Sequence, residues 1–162
     1  MAHMTYADAV AQLLVAKRKT VAVAEASTCG LLGYLMTQSP GASRYFLGGV
    51  TAYSYHVKER VLGIPLDLLE KEGSVSRAVA LAMARSIRAL CGAQIGLAET
   101  GIAGPCGGTL QKPVGLFHIA LSTEGIEEYV EKQFTGDREA CRQAAARAAL
   151  EMLEEYLASL KP

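Results

Sequence analysis

Four short segments of the sequence carry side chains that could bind or transform a small molecule. The first comprises residues 24–30, which read Ala-Glu-Ala-Ser-Thr-Cys-Gly between a predicted strand and a predicted helix. Free backbone N–H groups at the start of a helix can bind an anion such as a phosphate. The alternative is that Ser27 or Thr28 merely caps that helix.

The second segment, Pro40-Gly41-Ala42-Ser43, is followed by Tyr53 and Lys58. Serine becomes an effective nucleophile when a neighbouring base removes its proton. Lysine can be that base if burial or nearby positive charge lowers its pKa. The sequence leaves open whether Ser43 and Lys58 meet, and the alternative is a turn serine and a solvated lysine.

The third segment is the glycine-rich stretch 100–108, which reads Thr-Gly-Ile-Ala-Gly-Pro-Cys-Gly-Gly. Glycines let a backbone approach a ligand closely and point N–H groups at it, so this stretch could cradle a phosphate or form an oxyanion hole. It matches neither the Walker loop nor the dinucleotide fingerprint. The alternative is a connecting loop, but its length and glycine content favour a functional role.

The fourth segment opens the last predicted helix at Gly136-Asp137-Arg138, with Arg142 one turn further on. An arginine at this position could clamp a phosphate or carboxylate with two parallel hydrogen bonds, or it could be an ordinary surface residue. The isolated histidines, His56 and His118, are interpreted as structural. Cys29 is predicted in a first helical turn, where a thiolate is favoured, and is interpreted either as reactive or as a small buried residue.

Alternating helices and strands position these segments. Helices are predicted at 5–19, 30–38, 53–62, 66–72, 76–90 and 137–160, and strands at 21–24, 45–52, 95–99, 114–122 and 126–134. This alternation predicts a mixed sheet covered by helices on both faces, because the last two strands read as a hairpin. Ligands in such folds gather where strands end and helices begin.

The length and charge balance restrict the classes of partner. With 162 residues and a formal net charge of +0, the chain is expected to form one domain over residues 5–161, and Met1–Met4 read as an expression-tag remnant that includes His3. A balanced surface gives no electrostatic case for nucleic acid or a membrane, and low repulsion favours a homo-oligomer.

The four cysteines form no CxxC pair and no zinc-binding spacing, so no metal is expected. With no predicted signal peptide and no apolar run long enough to span a membrane, we expect a soluble cytoplasmic protein with reduced thiols.

Taken together, the order and spacing of these segments resemble the C-terminal domain of the CinA family, the nicotinamide-nucleotide amidohydrolases. The residues that carry the resemblance are Ala24-Glu25, Pro40 to Ser43, Thr51 to Ser54, Lys58, Gly73 to Ser76, Thr100 to Pro105, Lys112 to Gly115 and Gly136 to Arg138. The resemblance spans most of the chain and implies a three-layer α/β/α sandwich with a mainly parallel central sheet. It also implies a stand-alone version without the family's N-terminal partner domain.

The resemblance implies an enzyme that deamidates nicotinamide mononucleotide to nicotinate mononucleotide and ammonia, without a cofactor. Ser43 would be the nucleophile and Lys58 its base, with Tyr53 beside them. The residues implied in substrate binding are Ser27, Thr28, Thr100, Gly101, Ala103, Gly104, Arg138 and, as the second choice for the phosphate, Arg142.

One departure from the family's pattern bears on this activity. The first motif of the family usually reads Ala-Glu-Ser-x-Thr-Gly-Gly, whereas here Ala26 replaces the serine and Cys29 replaces the first glycine. Ala26 lacks a hydroxyl that could hydrogen-bond in the site, and Cys29 adds a side chain where glycine would admit a ligand. The alternatives are a catalytically silent member that binds a nucleotide or a partner protein, and an amidohydrolase with a shifted substrate.

Overall fold

The structure, a computed structural model, describes residues 5–161; the predicted tag Met1–Met4, with His3, lies outside the described residues. The helices are α1 (Tyr6–Ala16), α2 (Leu31–Met36), α3 (Tyr55–Arg60), α4 (Leu66–Glu72), α5 (Arg77–Cys91) and α6 (Arg138–Ser159). The strands are β1 (Val21–Glu25), β2 (Phe46–Thr51), β3 (Ile95–Gly101), β4 (Leu116–Ser122) and β5 (Glu127–Gln133), and a 3-10 helix spans Ala42–Arg44.

The five strands form one sheet in the order β2-β1-β3-β4-β5. β1 pairs in parallel with β2 and with β3, whereas β4 is antiparallel to β3 and to β5. Four strands therefore run in one direction, which confirms the mixed, mainly parallel sheet. The sequence predicted only the β4–β5 antiparallel pair. The β3–β4 pair extends β3 through Thr100 and Gly101, residues that the sequence assigned to a loop.

Helices cover both faces of the sheet, as predicted. One apolar layer packs α1, α2 and α6 against side chains such as Val21, Val23 and Leu97. The other packs α5 and the segment after α3 against Ala22, Ala24 and other small residues. Between residues 5 and 161, no helix combines the length and apolar character needed to cross a bilayer.

Local capping fixes where the helices begin. Thr5 and Asp8 form a reciprocal capping box at α1, and the side chains of Ser76 and Asp137 accept backbone N–H bonds at the starts of α5 and α6. Ser54 does the same for α3, so that helix begins two residues later than predicted.

Candidate active site

The strands β1, β2 and β3 end side by side, and we call the residues that follow them, together with the start of α6, the carboxyl edge. Its members are residues 26–30, 52–58, 100–104 and 138–142. The Ala52 backbone N–H donates to the Glu25 carbonyl at 2.7 Å, and the Ala26 N–H donates to the Glu99 carbonyl at 3.2 Å. Three of the four predicted segments therefore meet here, along with the Tyr53 and Lys58 part of the second.

Lys58 lies at the centre of the carboxyl edge. Its side chain is fully buried, and Nζ donates to the Ala52 carbonyl at 2.6 Å and to the Tyr53 carbonyl at 3.2 Å. Burial lowers the pKa of Lys58 to about 8, against an opposing effect from the negative charge of Glu99. The alternative of a solvated surface lysine is therefore wrong, and Lys58 has the environment that a lysine base requires.

Tyr53 and Arg138 form the rim of the carboxyl edge. The Arg138 guanidinium donates to the Gly104 carbonyl at 2.8 Å and to the Tyr53 hydroxyl at 3.3 Å. Tyr53 remains 59% exposed, and Arg138 is also exposed. The contact joins three predicted site residues that are far apart in sequence and leaves part of the arginine's donor set open to an incoming anion.

The start of α2 does not present a free anion site, which corrects one expectation. Glu25 accepts from the N–H groups of Gly30, Leu32 and Gly33 at 3.0, 2.9 and 2.9 Å and from the Thr28 hydroxyl at 2.6 Å. Its carboxylate occupies the position that a phosphate would take at a helix start. Helix capping by Ser27 or Thr28 is also wrong, because the N–H groups at this helix start bond to the Glu25 carboxylate instead.

A second buried carboxyl, that of Glu99, hydrogen-bonds to the same segment between β1 and α2. Its Oε1 accepts from the Ala26 N–H at 2.7 Å and from the Thr28 N–H at 2.8 Å, and it lies 2.8 Å from the Thr28 hydroxyl oxygen, whose one proton is donated to Glu25. Burial raises the pKa of Glu99, and Oε2 has no hydrogen-bond partner in the described structure. Sequence reasoning missed this residue, although a carboxyl at the end of an otherwise apolar strand was a usable signal.

Ser27 and Thr28 are both buried, and their groups are already engaged within the chain. The Ser27 hydroxyl donates to the Gly101 carbonyl, which ties the first segment to the third. Arg142 donates from Nε to the Ser27 carbonyl at 3.0 Å and from a terminal nitrogen to the Thr28 carbonyl at 2.9 Å. A further bond to Glu139 at 3.1 Å occupies its remaining terminal nitrogen. Arg142 thus positions this segment, whereas Arg138 is exposed at the rim.

The glycine-rich segment owes at least two of its glycines to packing within the protein. A Cβ on Gly101 would lie 2.2 Å from the Phe117 ring, and one on Gly104, which has a φ of +86°, would lie 2.5 Å from Val114. Ala103 is buried beside this packing. The Thr100 hydroxyl donates to the Ser74 carbonyl at 2.9 Å, which brings the α4–α5 connection to the carboxyl edge.

Ser43 is absent from this cluster, and the predicted contact with Lys58 within one chain is wrong. Ser43 lies in the 3-10 helix before β2, whereas Lys58 lies in α3 after β2. The six residues of β2 separate the two ends by roughly 17 Å, at about 3.3 Å per residue. Ser43 is exposed, and its side chain makes no hydrogen bond within residues 5–161.

The two departures in the first motif have different structural consequences. Ala26 is buried in the apolar layer that also contains Ala52 and Leu62, on the face of the sheet from which α3 contributes Lys58. Cys29 is exposed, which contradicts its interpretation as a buried residue, and it precedes α2 instead of lying in its first turn. Its φ of +50° shows that a glycine here would relieve backbone strain.

The carboxyl edge therefore combines the buried amine of Lys58, the exposed Tyr53 and Arg138, and a loop that the carboxyl groups of Glu25 and Glu99 hold in place. In the part of the chain that the structure describes, no group of three His, Cys, Asp or Glu side chains is arranged to hold a metal. His118 is buried and lies 2.6 Å from the Tyr129 hydroxyl, away from this cluster, in agreement with a structural role. Amine-based proton transfer beside an anion-binding rim is the chemistry that these residues can perform.

Comparison with known proteins agrees with this architecture. Residues 3–157 match the CinA C-terminal domain. A CinA-like protein from Desulfotalea psychrophila is 48% identical over 153 residues, which are 94% of this chain and 37% of that protein. Another from Syntrophotalea carbinolica is 46% identical over 96% of this chain and 38% of that protein. The chain thus spans little more than a third of the length of these relatives.

Solved structures give the same result. A CinA superfamily protein from Klebsiella pneumoniae superposes with a TM-score of 0.92 at 32% identity, covering 96% of this chain and 97% of that one. A competence/damage inducible protein from Agrobacterium tumefaciens superposes with a TM-score of 0.90, also at 32% identity, covering 98% and 100%. On the match over nearly its whole length, the chain belongs to the CinA C-terminal domain family.

Proposed function

We propose that the chain is an amidohydrolase that converts nicotinamide mononucleotide to nicotinate mononucleotide and ammonia at the carboxyl edge. The observation that carries the proposal is the burial of Lys58, which lowers its pKa to about 8. A tenth or so of such amines are neutral at pH 7, compared with about one in 3,000 for an ordinary lysine. A neutral amine can accept the proton that amide hydrolysis releases from the nucleophile.

The exposed residues Tyr53 and Arg138 are suited to the phosphate end of the substrate. Arg138 is exposed, and two of its terminal nitrogens are held by Gly104 and Tyr53, which fixes the plane of the guanidinium. A planar cation with donors to spare favours the phosphate of a mononucleotide. In this arrangement the pyridine ring and its carboxamide lie between the rim and Lys58, against the backbone of residues 101–104.

The nucleophile cannot be Ser43 of the same chain, for the geometric reason given above. Within the described residues, Lys58 hydrogen-bonds only to the carbonyls of Ala52 and Tyr53, and no hydroxyl is bonded to its amine. The hydroxyl that would give its proton to Lys58 is therefore not among the present hydrogen-bond partners of the amine.

Ala26 favours a second candidate, a catalytically silent member of the family that binds the nucleotide. Position 26 lies on the face of the sheet that carries Lys58, and the side chain there is a methyl group in an apolar layer. A site that keeps the base and the rim but lacks a hydroxyl would still hold a pyridine mononucleotide. Such a member could also present the occupied site to a partner protein.

Ammonia release from nicotinamide mononucleotide, measured beside calorimetric binding, separates the two candidates. The amidohydrolase predicts ammonia from the wild-type chain and loss of it in Lys58→Ala, with Lys71→Ala, an 81% exposed lysine, as the matched control. Binding without ammonia would establish the silent candidate. Absence of both would refute the assignment of the site.

The variant Ala26→Ser sharpens the test, because it places a hydroxyl on the face that carries Lys58. If a missing hydroxyl limits this chain, ammonia release should increase at least tenfold in Ala26→Ser and disappear again in Ala26→Ser/Lys58→Ala. A panel of other carboxamides in the same assay would detect a shifted substrate. Equal rates for the wild type and Ala26→Ser would show that position 26 has no part in the reaction.

A further inference from the structure

Two buried carboxyl groups, those of Glu25 and Glu99, lie on either side of the Thr28 hydroxyl. Oγ1 of Thr28 is 2.6 Å from Oε2 of Glu25 and 2.8 Å from Oε1 of Glu99. Glu25 is 3% exposed and Glu99 is 0% exposed, so bulk water does not screen one carboxyl from the other. A hydroxyl has one proton to donate, and that proton serves only one of the two carboxyls at a time.

The two carboxyls differ in the donors that face them. Glu25 accepts from three N–H groups at the start of α2, where the partial positive charge of the helix end favours a carboxylate. Glu99 accepts two N–H bonds at Oε1, and its Oε2 is buried without a hydrogen-bond partner in the described structure. A buried oxygen without a partner costs far more when its carboxyl is ionised than when it is neutral. Glu99 is therefore the member of the pair on which a proton is favoured.

Neither of these carboxyls forms an ion pair in the described part of the chain. Arg142 of α6 contacts the same segment, but it donates to two backbone carbonyls and to the exposed Glu139. Lys58 of α3 interacts with the charge of Glu99, but its amine hydrogen-bonds to carbonyls instead. Burial, together with the neighbouring charge of Glu25, raises the pKa of Glu99. Two carboxylates beside one hydroxyl and without a bonded cation do not both ionise readily.

The hydrogen bonds of Lys58 match those of a neutral amine. A neutral amine has two hydrogens and a lone pair, whereas an ammonium has three hydrogens to donate. Nζ donates to two carbonyls, those of Ala52 and Tyr53, and has no third acceptor among the described residues. In the neutral form both hydrogens are used, and the lone pair is left to accept a proton. In the ammonium form one N–H of a fully buried side chain would have no acceptor.

We infer that Glu99 holds a proton at neutral pH and forms a neutral acid–amine pair with Lys58. Glu99 is then a positioning residue, because its carboxyl holds Ala26 and Thr28 through two N–H bonds and places no negative charge near the amine. A carboxylate at position 99 would favour the protonated form of Lys58 and so remove the base. The neutral state of the pair is independent of the proposed hydrolysis, whereas its contribution to catalysis rests on that proposed function.

Infrared difference spectroscopy tests for the proton on Glu99 directly. A protonated carboxyl has a C=O stretching band that carboxylates lack. At pH 7 this band should be present in the wild-type chain and absent from Glu99→Gln, whose amide keeps an oxygen acceptor for the two N–H groups. Glu70→Gln, at an exposed glutamate, is the matched control and should keep the band. If Glu99→Gln loses carboxylate bands instead, Glu99 is ionised and the inference is wrong.

The pH dependence of stability tests the same proton by a second route. The pKa of Glu99 is raised from 4.5 in the folded chain, so just above that value the folded chain binds more protons than the unfolded chain. Stability due to this group therefore falls as pH rises. Between pH 5 and pH 7 the urea midpoint of the wild type should fall relative to that of Glu99→Gln or of Glu99→Met, which also cannot ionise. The midpoint of Glu70→Gln should follow the wild type. A constant offset for both Glu99 variants would overturn the inference.

The titration of Lys58 tests the pairing of the two groups. Its ε-carbon can be followed by NMR in a chain labelled with ¹³C-lysine, with Lys58→Met identifying the signal. Because glutamine replaces one neutral group by another, Glu99→Gln should leave the pKa of Lys58 within about 0.3 of its wild-type value. Removal of a carboxylate would instead lower the pKa of Lys58 by about 1 or more, and that result would refute the neutral pair.

Ammonia release separates this inference from the proposed function. If the chain hydrolyses nicotinamide mononucleotide, the acid limb of kcat against pH should keep its position in Glu99→Gln. Glu99→Ala, which loses both N–H bonds, should lower kcat about tenfold or more at every pH. A wild-type kcat in Glu99→Ala would remove the positioning role. An inactive wild type that keeps the infrared band and the Lys58 titration would refute the hydrolysis alone.

Discussion

At the end of β2, the Lys58 amine is fully buried and donates to two carbonyls, whereas at the start of β2 the Ser43 hydroxyl is exposed and unbonded in the described chain. Around the first end, Glu25 and Glu99 hold the loops in place through six hydrogen bonds at most 3.0 Å long. Residues that belong to one motif in sequence can therefore lie in opposite environments. What distinguishes the end that carries Lys58 is that the segments following three parallel strands meet there with the start of α6.

The largest effect is expected from Lys58. Lys58→Ala should lower kcat for ammonia release by about a thousandfold, because general base catalysis is worth roughly 10²–10⁴ in rate. The measurement is a steady-state ammonia assay. The control Lys71→Ala should keep the wild-type rate, and a Lys58→Ala rate within threefold of wild type would show that the buried amine is not the base.

The next largest effect concerns stability at the same end. Glu25→Ala removes the acceptor for three backbone N–H groups and the Thr28 hydroxyl, and unsatisfied buried donors cost roughly 1–3 kcal/mol each. We expect a loss of about 3 kcal/mol in the free energy of unfolding, measured by urea denaturation. Glu70→Ala, at an exposed glutamate, should change it by less than ~0.5 kcal/mol. Equal losses would contradict the bracing role of Glu25.

The pH dependence of stability isolates the Lys58 amine. Its pKa is lowered from 10.5 to about 8 in the folded chain, so between those values the unfolded chain binds more protons than the folded chain. Stability due to this group therefore rises with pH through that window. The difference in free energy of unfolding between the wild type and Lys58→Met should grow by roughly 2 kcal/mol from pH 8 to pH 10 in favour of the wild type. A flat difference would mean that Lys58 is solvated.

A smaller effect is expected at the rim. Arg138→Ala should raise KM for nicotinamide mononucleotide about tenfold and leave kcat within threefold, if the guanidinium holds phosphate equally in the ground and transition states. Arg60→Ala removes an exposed arginine of α3 and serves as the control. An equal fall in kcat and kcat/KM would instead show that Arg138 acts on the transition state.

The smallest effect is expected at the start of β2. Ser43→Ala should change the free energy of unfolding by less than ~0.5 kcal/mol, because an exposed hydroxyl without a partner contributes little. Urea denaturation of the two proteins side by side gives this number. A loss above about 1 kcal/mol would show that this end is also structurally braced, and the contrast between the two ends would fail.

Much of the fold could be predicted from the sequence, because its signals are local. Ser76 and Asp137 cap α5 and α6 through contacts three residues away, and Gly92 ends α5 in a left-handed conformation, with φ of +63°. The antiparallel β3–β4 pair could not be predicted in this way. It joins residues such as Gly96 and Ser122, which are distant in sequence and bear no turn between them.

The sequence identified many of the residues of the candidate site, but it did not show what each of them does there. Tyr53, Lys58, Gly104 and Arg138 were identified by type and motif, and they do meet. The burial of Lys58 depends on how α3 packs against α4 and the apolar layer beneath it, which no local pattern encodes. The carboxylate of Glu25 bonds to the N–H groups at the helix start that the sequence offered as a possible phosphate site, since a charge within the chain competes with any ligand for the same groups.

The most direct measurement is a crystal structure of the chain soaked with nicotinate mononucleotide, the proposed product. The account predicts the ligand's pyridine carboxylate within hydrogen-bond distance of the Lys58 amine, and its phosphate on the Arg138 guanidinium. A ligand bound elsewhere, with Lys58 still bonded only to the carbonyls of Ala52 and Tyr53, would contradict it.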